Sequence, residues 1–417
     1  MPDHFTRVLS RPHFIALIAA IMTMNAIAVD VMLPALPYMG EALGVTAENE
    51  RQFVITFYSL GMGIGVLAFG PLSDRFGRRM PLFAGLGLYV VAALAAVFAP
   101  DFTTLLVLRF IQGVGAASAR VVTTAVVRDK YSGREMAEVM SLTFMVFMAV
   151  PIVAPGIGQV LLLTGPWQAI FVFMGLLAAA IAFWAFLKLP ETLPAEQRRP
   201  MSFSGIALGF KLVFTNRTAF SYGLAGMFLF GALMGFITSA QQVYVETYGL
   251  GIWFTVAFAA IGALMAVSSF TNSRIVRRLG MRRLAHGAII VYTATAAVML
   301  TLALADMLPF PAFYGLLAII MFCFGWSSSN MNSLSMEPLG SVAGTAAATF
   351  AFVQTVGGTL IGTGIGQLYN GTASNIAGGY FSMGIMALIC VLVAEKGRLF
   401  GVGEQYDTAA FREPAAH

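Results

Sequence analysis

Long apolar runs separated by short polar connections dominate the pattern of this 417-residue chain. Each run is about twenty residues long, the length that an α-helix needs to cross the hydrocarbon core of a bilayer. The pattern therefore predicts an all-α membrane protein with twelve transmembrane helices. We place these helices at 14–37, 52–71, 81–99, 102–127, 138–163, 167–188, 218–245, 252–272, 284–304, 310–332, 341–369 and 376–395. The glycines of the stretch 341–369 leave a broken helix open there.

The composition supports a membrane protein and excludes several function classes. Hydrophobic residues make up 59% of the chain and charged residues only 10%, whereas a soluble domain carries about 25% charged residues. The chain has no HExxH, GxSxG or GxxxxGK[ST] motif, and both cysteines lie inside apolar runs. We therefore expect neither an enzyme nor ATP-driven transport, with no metal site and no cofactor.

The positions of the basic residues predict the orientation in the membrane. Of the 24 Lys and Arg residues, 21 lie in the two tails and in alternate connections, whereas the intervening connections hold only Arg51. This bias predicts that both termini are cytoplasmic, and it explains the net charge of +5 without a nucleic-acid partner. A signal peptide cleaved after Ala28 is disfavoured because the apolar run continues to Pro37.

The chain divides into two comparable halves. The segment 190–216 is the only long polar connection, and we interpret it as a cytoplasmic linker between six-helix bundles at 1–189 and 217–417. Each half repeats a basic, glycine-containing loop, and Gly77 and Gly280 of these loops are 203 residues apart. Such repeats predict two pseudo-symmetric bundles with a substrate site at their interface, near the middle of the membrane.

Two charged residues lie deep inside predicted spans. Asp30 of the first span and Arg109 of the fourth lie at similar depth, roughly 10–12 Å below the outer boundary. Because a carboxylate in hydrocarbon is costly, we expect Asp30 to face a cavity or a partner. We predict that Asp30 carries the transported proton and that Arg109 tunes its proton affinity. The alternative is a purely structural ion pair.

Charges near the predicted cytoplasmic side suggest a second function. Asp74 lies among arginines in the first basic loop, where it can cap a helix or pair with a cation. We expect a breakable charge cluster that holds a gate, in which Asp129 pairs with Arg78. Arg120 of the fourth span admits two interpretations: its side chain reaches the membrane surface, or it lines a cavity for a polar or anionic substrate.

The fifth span contains Pro155 and Gly158, which permit bending and close packing, although ordinary packing explains them as well. A further set of residues combines polar groups with apolar bulk inside the spans, and we predict that it lines a mixed substrate cavity. For any single aromatic residue, simple packing is the alternative. The set is Asn25, Tyr58, Gln112, Phe144, Met148, Gln241, Gln242, Trp326, Asn330 and Gln354.

Several motifs together resemble the major facilitator superfamily. The loop Gly70–Arg79 is similar to the signature between helices two and three of that family, and Arg109, Gln112, Gly113 and Gly115 are similar to its helix-four motif. More narrowly, the chain resembles the bicyclomycin/chloramphenicol-resistance group of drug:proton antiporters. The matching segments are 30–37, 127–131, 154–158, 190–193, 337–338 and 343–347.

The resemblance implies alternating access and proton-coupled export of small amphipathic compounds, with Asp30 and Arg109 in proton coupling. Two residues depart from the pattern of this family: Gln159 stands where a second glycine is usual, and Arg120 stands where arginine is not expected. We expect small-molecule and proton partners and a monomer in a bacterial inner membrane. A metabolite facilitator or a proton symporter remains the alternative, whereas a non-transporting sensor is disfavoured. The gating residues implied are Gly70, Asp74, Arg75, Gly77, Arg78, Asp129, Pro155 and Gly158.

Overall fold

The computed structural model of the protein describes residues 10–198 and 203–401, and this part of the chain is helical without any strand. Some helices include a short 3₁₀- or π-helical turn. Their bounds are α1 Arg11–Ala42, α2 Glu48–Phe76, α3 Arg79–Ala96, α4 Phe102–Lys130, α5 Gly133–Thr164, α6 Gln168–Lys188, α7 Phe203–Thr215, α8 Arg217–Thr247, α9 Gly251–Leu279, α10 Met281–Leu304, α11 Phe310–Leu339, α12 Gly344–Gln367 and α13 Ser374–Ala394.

The predicted set of membrane spans is confirmed. Eleven helices combine the length and the apolar composition of a span, and the 32-residue α5 contains the shorter apolar segment Ala149–Thr164. The glycine-rich stretch 341–369 is not broken, because α12 continues through a π-helical turn at Val353–Gly357. Each of the twelve predicted spans thus coincides with one helix.

The linker contains a helix that the sequence pattern did not predict. Helix α7 follows the polar part of the linker, and its Val213 packs against Ala219 of α8 and Phe350 of α12. The 13 residues of α7 are too few to span a bilayer. Because α7 packs against the second bundle, the beginning of the linker is the part that contacts the first bundle.

Close helix packing fixes the centre of the first half. Helices α2 and α4 approach so closely that a Cβ atom at Gly61 would clash with the backbone of Phe110, and one at Gly113 with the backbone of Tyr58. Small residues permit this approach because van der Waals packing drives helix association in lipid. The contact sets the α4 side chains at a fixed height beside α1 and α2.

The two six-helix bundles meet along two helix pairs. Helix α2 lies against α12, where Gly63 contacts Val356, and α5 lies against α9, where Pro151 lies next to Gly262. We call the end of the bundle that holds the α2–α3 connection and the start of α10 the basic end. The end that holds Asn49 is called the opposite end.

Candidate functional site

Asp30 lies where the first helix changes its geometry. The regular part of α1 ends at this residue, and a 3₁₀ turn follows at Leu33–Ala35. Pro34 causes the change because it has no N–H to donate to the carbonyl of Asp30. The side chain is 4% exposed, and no described residue forms an ion pair or hydrogen bond with its carboxylate. Asp30 is therefore a buried acid that the rest of the described chain leaves unpaired.

Arg109 is fully buried and engages three other groups. Its Nε donates to the carbonyl of Val54 at 3.1 Å, Nη2 to the carbonyl of Ala28 at 2.9 Å, and Nη1 to Oε1 of Gln112 at 2.7 Å. The guanidinium also lies 4.4 Å from the ring centroid of Tyr58. Arg109 thus joins α4 to α1 and α2.

The ion pair suggested for Asp30 and Arg109 is not formed. The guanidinium instead bonds to the Ala28 carbonyl, two residues before the acid, and the α2 backbone and Gln112 take its other bonds. Matched depth along two helices does not determine which way each side chain turns around its helix. The hydrogen bond to Ala28 is therefore the contact by which Arg109 holds the helix that carries Asp30.

Three residues of the predicted cavity set surround Arg109. The hydroxyl of Tyr58 donates to Oδ1 of Asn25 at 3.2 Å, and Gln112 accepts from the guanidinium. The Nε2 of Gln112 is buried and forms no hydrogen bond of regular geometry in the described chain, although the phenol of Tyr89 lies close to this amide. The polar groups beside the buried arginine are therefore incompletely paired.

The other described members of the predicted cavity set lie in different parts of the structure. Trp326 and Asn330 bond to α9 through Ser268, Thr271 and Asn272, so both hold the second bundle together. Both side chains thus donate hydrogen bonds within the second bundle, and their place in a substrate cavity stays a prediction.

Two further residues of the predicted cavity set, Gln241 and Gln354, lie on different helices. Gln241 is buried at the end of α8, and Gln354 lies in the π-helical turn of α12 against Gly226. The side chains of Phe144 and Met148 lie outside the described residues.

Gln242 belongs to a contact between the bundles at the opposite end. Nε2 of Gln52 donates to Oε1 of Gln242 at 2.5 Å and to the carbonyl of Gly366 at 3.1 Å. Nε2 of Gln242 donates to Asn49, whose amide nitrogen donates to the carbonyls of Gln367 and Tyr369. This amide network joins the two bundles at the opposite end, and the role of Gln242 in a substrate cavity stays a prediction.

The first basic loop forms a charge cluster around Arg78. Its Nε donates to Oδ2 of Asp129 at 2.7 Å, and its Nη1 donates to Asp74 at 2.6 Å and to Ser73 at 2.9 Å. Burial opposes the charge of Arg78, but the hydrogen bonds to Asp129 and Asp74 raise the pKa of its guanidinium above the usual value. Arg75 is exposed and stacks on Phe76.

The sequence correctly anticipated the contact between Arg78 and Asp129. Among the described residues, however, the cluster contains only the first bundle and the beginning of the linker. Its state-dependent role as a gate therefore remains a proposal.

Glu191 of the linker completes this loop and was not predicted from the sequence as a functional residue. Its carboxylate accepts from the backbone N–H groups of Arg78 and Arg79, at 2.8 and 3.1 Å, and from those of Thr192 and Leu193. It thereby caps the start of α3. Gly77 permits this approach, because it has a φ of +88° and a side chain there would clash with Glu191. The signal available was an acid directly after a span.

The remaining predicted gating residues are Gly70, at the start of the loop, and Pro155 and Gly158 of the fifth span. Gly70 accepts a hydrogen bond from Ser73 through its carbonyl. Pro155 and Gly158 are buried in α5, and a Cβ atom at Gly158 would clash with the carbonyl of Val31. Helix α5 therefore packs directly against the part of α1 that follows Asp30.

Known proteins share both the sequence pattern and the fold. The family model of the Major Facilitator Superfamily matches residues 17–363. The bicyclomycin resistance protein homolog of Haemophilus influenzae is 31% identical, over 91% of this chain and 94% of that protein. The chloramphenicol resistance protein of Pseudomonas aeruginosa is 30% identical, over 82% and 80%. The structure of a D-xylose-proton symporter is 14% identical, with a TM-score of 0.70 over 92% of this chain and 96% of that one.

Proposed function

The chain belongs to the major facilitator superfamily of membrane transporters, and we propose that it exports small amphipathic organic compounds, antibiotics among them, in exchange for protons. The observation that carries this proposal is Asp30, a carboxyl group buried within a spanning helix without a partner in the described chain. Two relatives that match most of the chain are named for resistance to bicyclomycin or chloramphenicol.

Proton exchange follows from the surroundings of Asp30. A buried carboxyl group without a cation is favoured in its neutral form, whereas access to water or to a cation favours the anion. Asp30 lies between two contacts of α1. Before it, Arg109 bonds to the carbonyl of Ala28, and after it, α5 packs against the α1 backbone. A movement of α5 against α1 changes the solvation of Asp30, so it binds a proton in one state and releases it in the other.

Orientation and assembly are part of the same proposal. We place the protein in a bacterial inner membrane with both termini and the basic end in the cytoplasm, because basic loops are retained there. The amide network at the opposite end then closes the outer side, which corresponds to an inward-facing state. The protein acts as a monomer of bundles 1–189 and 217–417, joined by the linker 190–216, and it needs no cofactor.

Transport into proteoliposomes with imposed pH gradients tests this function. We expect the wild-type protein to concentrate radiolabelled chloramphenicol when the lumen is acidic, because protons leaving the lumen drive the compound in. Accumulation only with an alkaline lumen would instead identify a symporter.

The same assay tests the role of Asp30. We expect Asp30→Asn to equilibrate chloramphenicol without concentrating it under either gradient. Glu41→Gln is the matched control, since Glu41 is an exposed acid on the same helix, and it should behave as the wild type. An Asp30→Asn protein that still concentrates chloramphenicol would contradict the proposed role.

A further inference from the structure

A second arginine of α4 lies inside the span without a partner. Arg120 is ten residues from the end of α4 at Lys130, a distance of about 15 Å along the helix. Its side chain is exposed, and no described residue forms an ion pair or a hydrogen bond with its guanidinium. Only its backbone carbonyl is engaged, by the hydroxyls of Thr123 and Thr124. The guanidinium is therefore a free cation in the part of the chain that the structure describes.

The helix contacts show which way Arg120 faces. Gly113 faces α2, and Gly115 faces α3. Arg120 is seven residues after Gly113, about two turns, so it lies on nearly the same side of α4. It is also eleven residues, about three turns, after Arg109, which contacts both α1 and α2. Arg120 therefore points between α1 and α2, towards the axis of the protein.

The lipid-facing side of α4 lies elsewhere. Val107 is 50% exposed on α4 and points between α2 and α3, away from the stripe that carries Arg109 and Arg120. The side chain of Arg120 is exposed on this inward-facing stripe. This combination is typical of the wall of an internal crevice rather than of the outer surface.

Polar side chains are exposed near Arg120 and at the equivalent level of the second bundle. Thr124 is exposed one turn after Arg120 on α4. In the second bundle, α11 occupies the place that α4 has in the first, and it exposes Ser329 and Asn332 towards the basic end. Hydroxyl and amide groups can hydrogen-bond an oxyanion, but they cannot neutralise a guanidinium. Among the described residues, the positive charge of Arg120 is therefore left without a counter-ion.

We propose that Arg120 binds the anionic group of transported compounds, so that this exporter prefers organic acids to neutral or cationic compounds of similar size. A guanidinium offers a carboxylate, sulfonate or phosphate two parallel hydrogen bonds, which a neutral ligand cannot match. Neutral compounds can still occupy the crevice without this contact. The inference rests on the proposed transport function, but binding does not require a proton gradient.

Equilibrium binding of two dyes of similar shape tests this site. Fluorescein, used as its dianion, and rhodamine 6G, a cation, are titrated into the purified full-length protein, and binding is measured by fluorescence anisotropy. We expect the wild type to bind fluorescein more tightly than rhodamine 6G. Arg120→Ala should weaken fluorescein binding about tenfold or more and leave rhodamine 6G binding unchanged or tighter. Arg120→Lys should retain part of the affinity for fluorescein, because it keeps the charge.

Two control variants show whether the effect is specific to Arg120 and independent of proton coupling. Arg274→Ala removes an exposed arginine that stacks on Phe270, so it changes the net charge equally and should bind both dyes as the wild type does. Asp30→Asn should retain the preference for fluorescein even if gradient-driven transport fails, which separates the two proposals. Equal affinity of the wild type for both dyes, or a parallel loss of both in Arg120→Ala, would overturn the anion site.

Discussion

The two basic loops of the repeat have similar backbones but different surroundings. Gly77 and Gly280 have φ values of +88° and +81°, and each precedes the first turn of a span. Arg78 of the first loop has a side chain that is 4% exposed, whereas Arg282 near the second is 15% exposed. The two turns therefore have similar backbones but different contacts around them.

The difference lies in what each arginine joins. Arg78 binds Asp129, at the end of the fourth span, and the neighbouring backbone is held by Glu191. Arg282 binds Glu337, at the end of the equivalent span of the second bundle, and also Glu395 after the last span. The first loop is thus fastened to the linker, and the second to the end of its own bundle.

The largest effect expected from this comparison is the loss of Arg78. Arg78→Ala leaves the carboxylate of Asp129, itself 14% exposed, with the hydroxyl of Thr192 as its one remaining partner among the described residues. Removing one partner of a buried pair costs about 3–5 kcal/mol. Arg282→Ala should cost less, about 1–3 kcal/mol, because Glu337 is 36% exposed and Glu395 keeps a hydrogen bond from Tyr222. Thermal unfolding in detergent compares them, and a larger loss in Arg282→Ala would contradict the comparison.

Alanine at the two glycines gives the second-largest difference. Both substitutions place a side chain at a positive φ with an extended ψ, a conformation that is almost confined to glycine, at a cost of about 1–3 kcal/mol. At Gly77 the new methyl group also clashes with Glu191, whose carboxylate accepts hydrogen bonds from four backbone N–H groups. At Gly280 no atom lies within 4 Å of the new methyl group. We expect Gly77→Ala to lower the melting temperature clearly more than Gly280→Ala. Equal shifts would show that Glu191 does not constrain the first loop.

The smallest effect concerns the two acids that contact Arg78. Asp74 is 48% exposed, so Asp74→Asn should change stability by less than about 1 kcal/mol. Asp129 accepts two hydrogen bonds from the guanidinium and is largely buried, so Asp129→Asn should cost more. The same unfolding experiment ranks the pair, and a larger loss in Asp74→Asn would show that exposure does not set the strength of this cluster.

The helices were predictable from the sequence because a bilayer imposes a length on each apolar run. The linker helix α7 was missed, since its 13 residues follow a polar segment and need no spanning length. The end of α11 was placed at residue 332, although the helical path continues to Leu339. The membrane constrains the hydrophobic centre of a span more strongly than its ends.

The candidate site was less predictable because side-chain direction depends on packing between distant helices. Residue type and depth suggested that Asp30 pairs with Arg109, yet Arg109 bonds to the α1 backbone instead. Gln241 and Gln242 are neighbours of the same type, but only Gln242 faces the partner amides at the opposite end. The contact between Arg78 and Asp129 was anticipated both from the charges near the loop and from the family resemblance, whereas the pairing of Asp30 with Arg109 was argued from their matched depth.

Proton release on substrate binding tests the central proposal most directly. Chloramphenicol is added to the purified protein in weakly buffered detergent solution over a range of pH, and released protons are measured with a pH indicator. Exchange at Asp30 predicts that the wild type and Glu41→Gln release protons on binding, whereas Asp30→Asn binds chloramphenicol without release. Equal proton release by Asp30→Asn, or binding by the wild type without release at any pH, would contradict proton exchange at this carboxyl group.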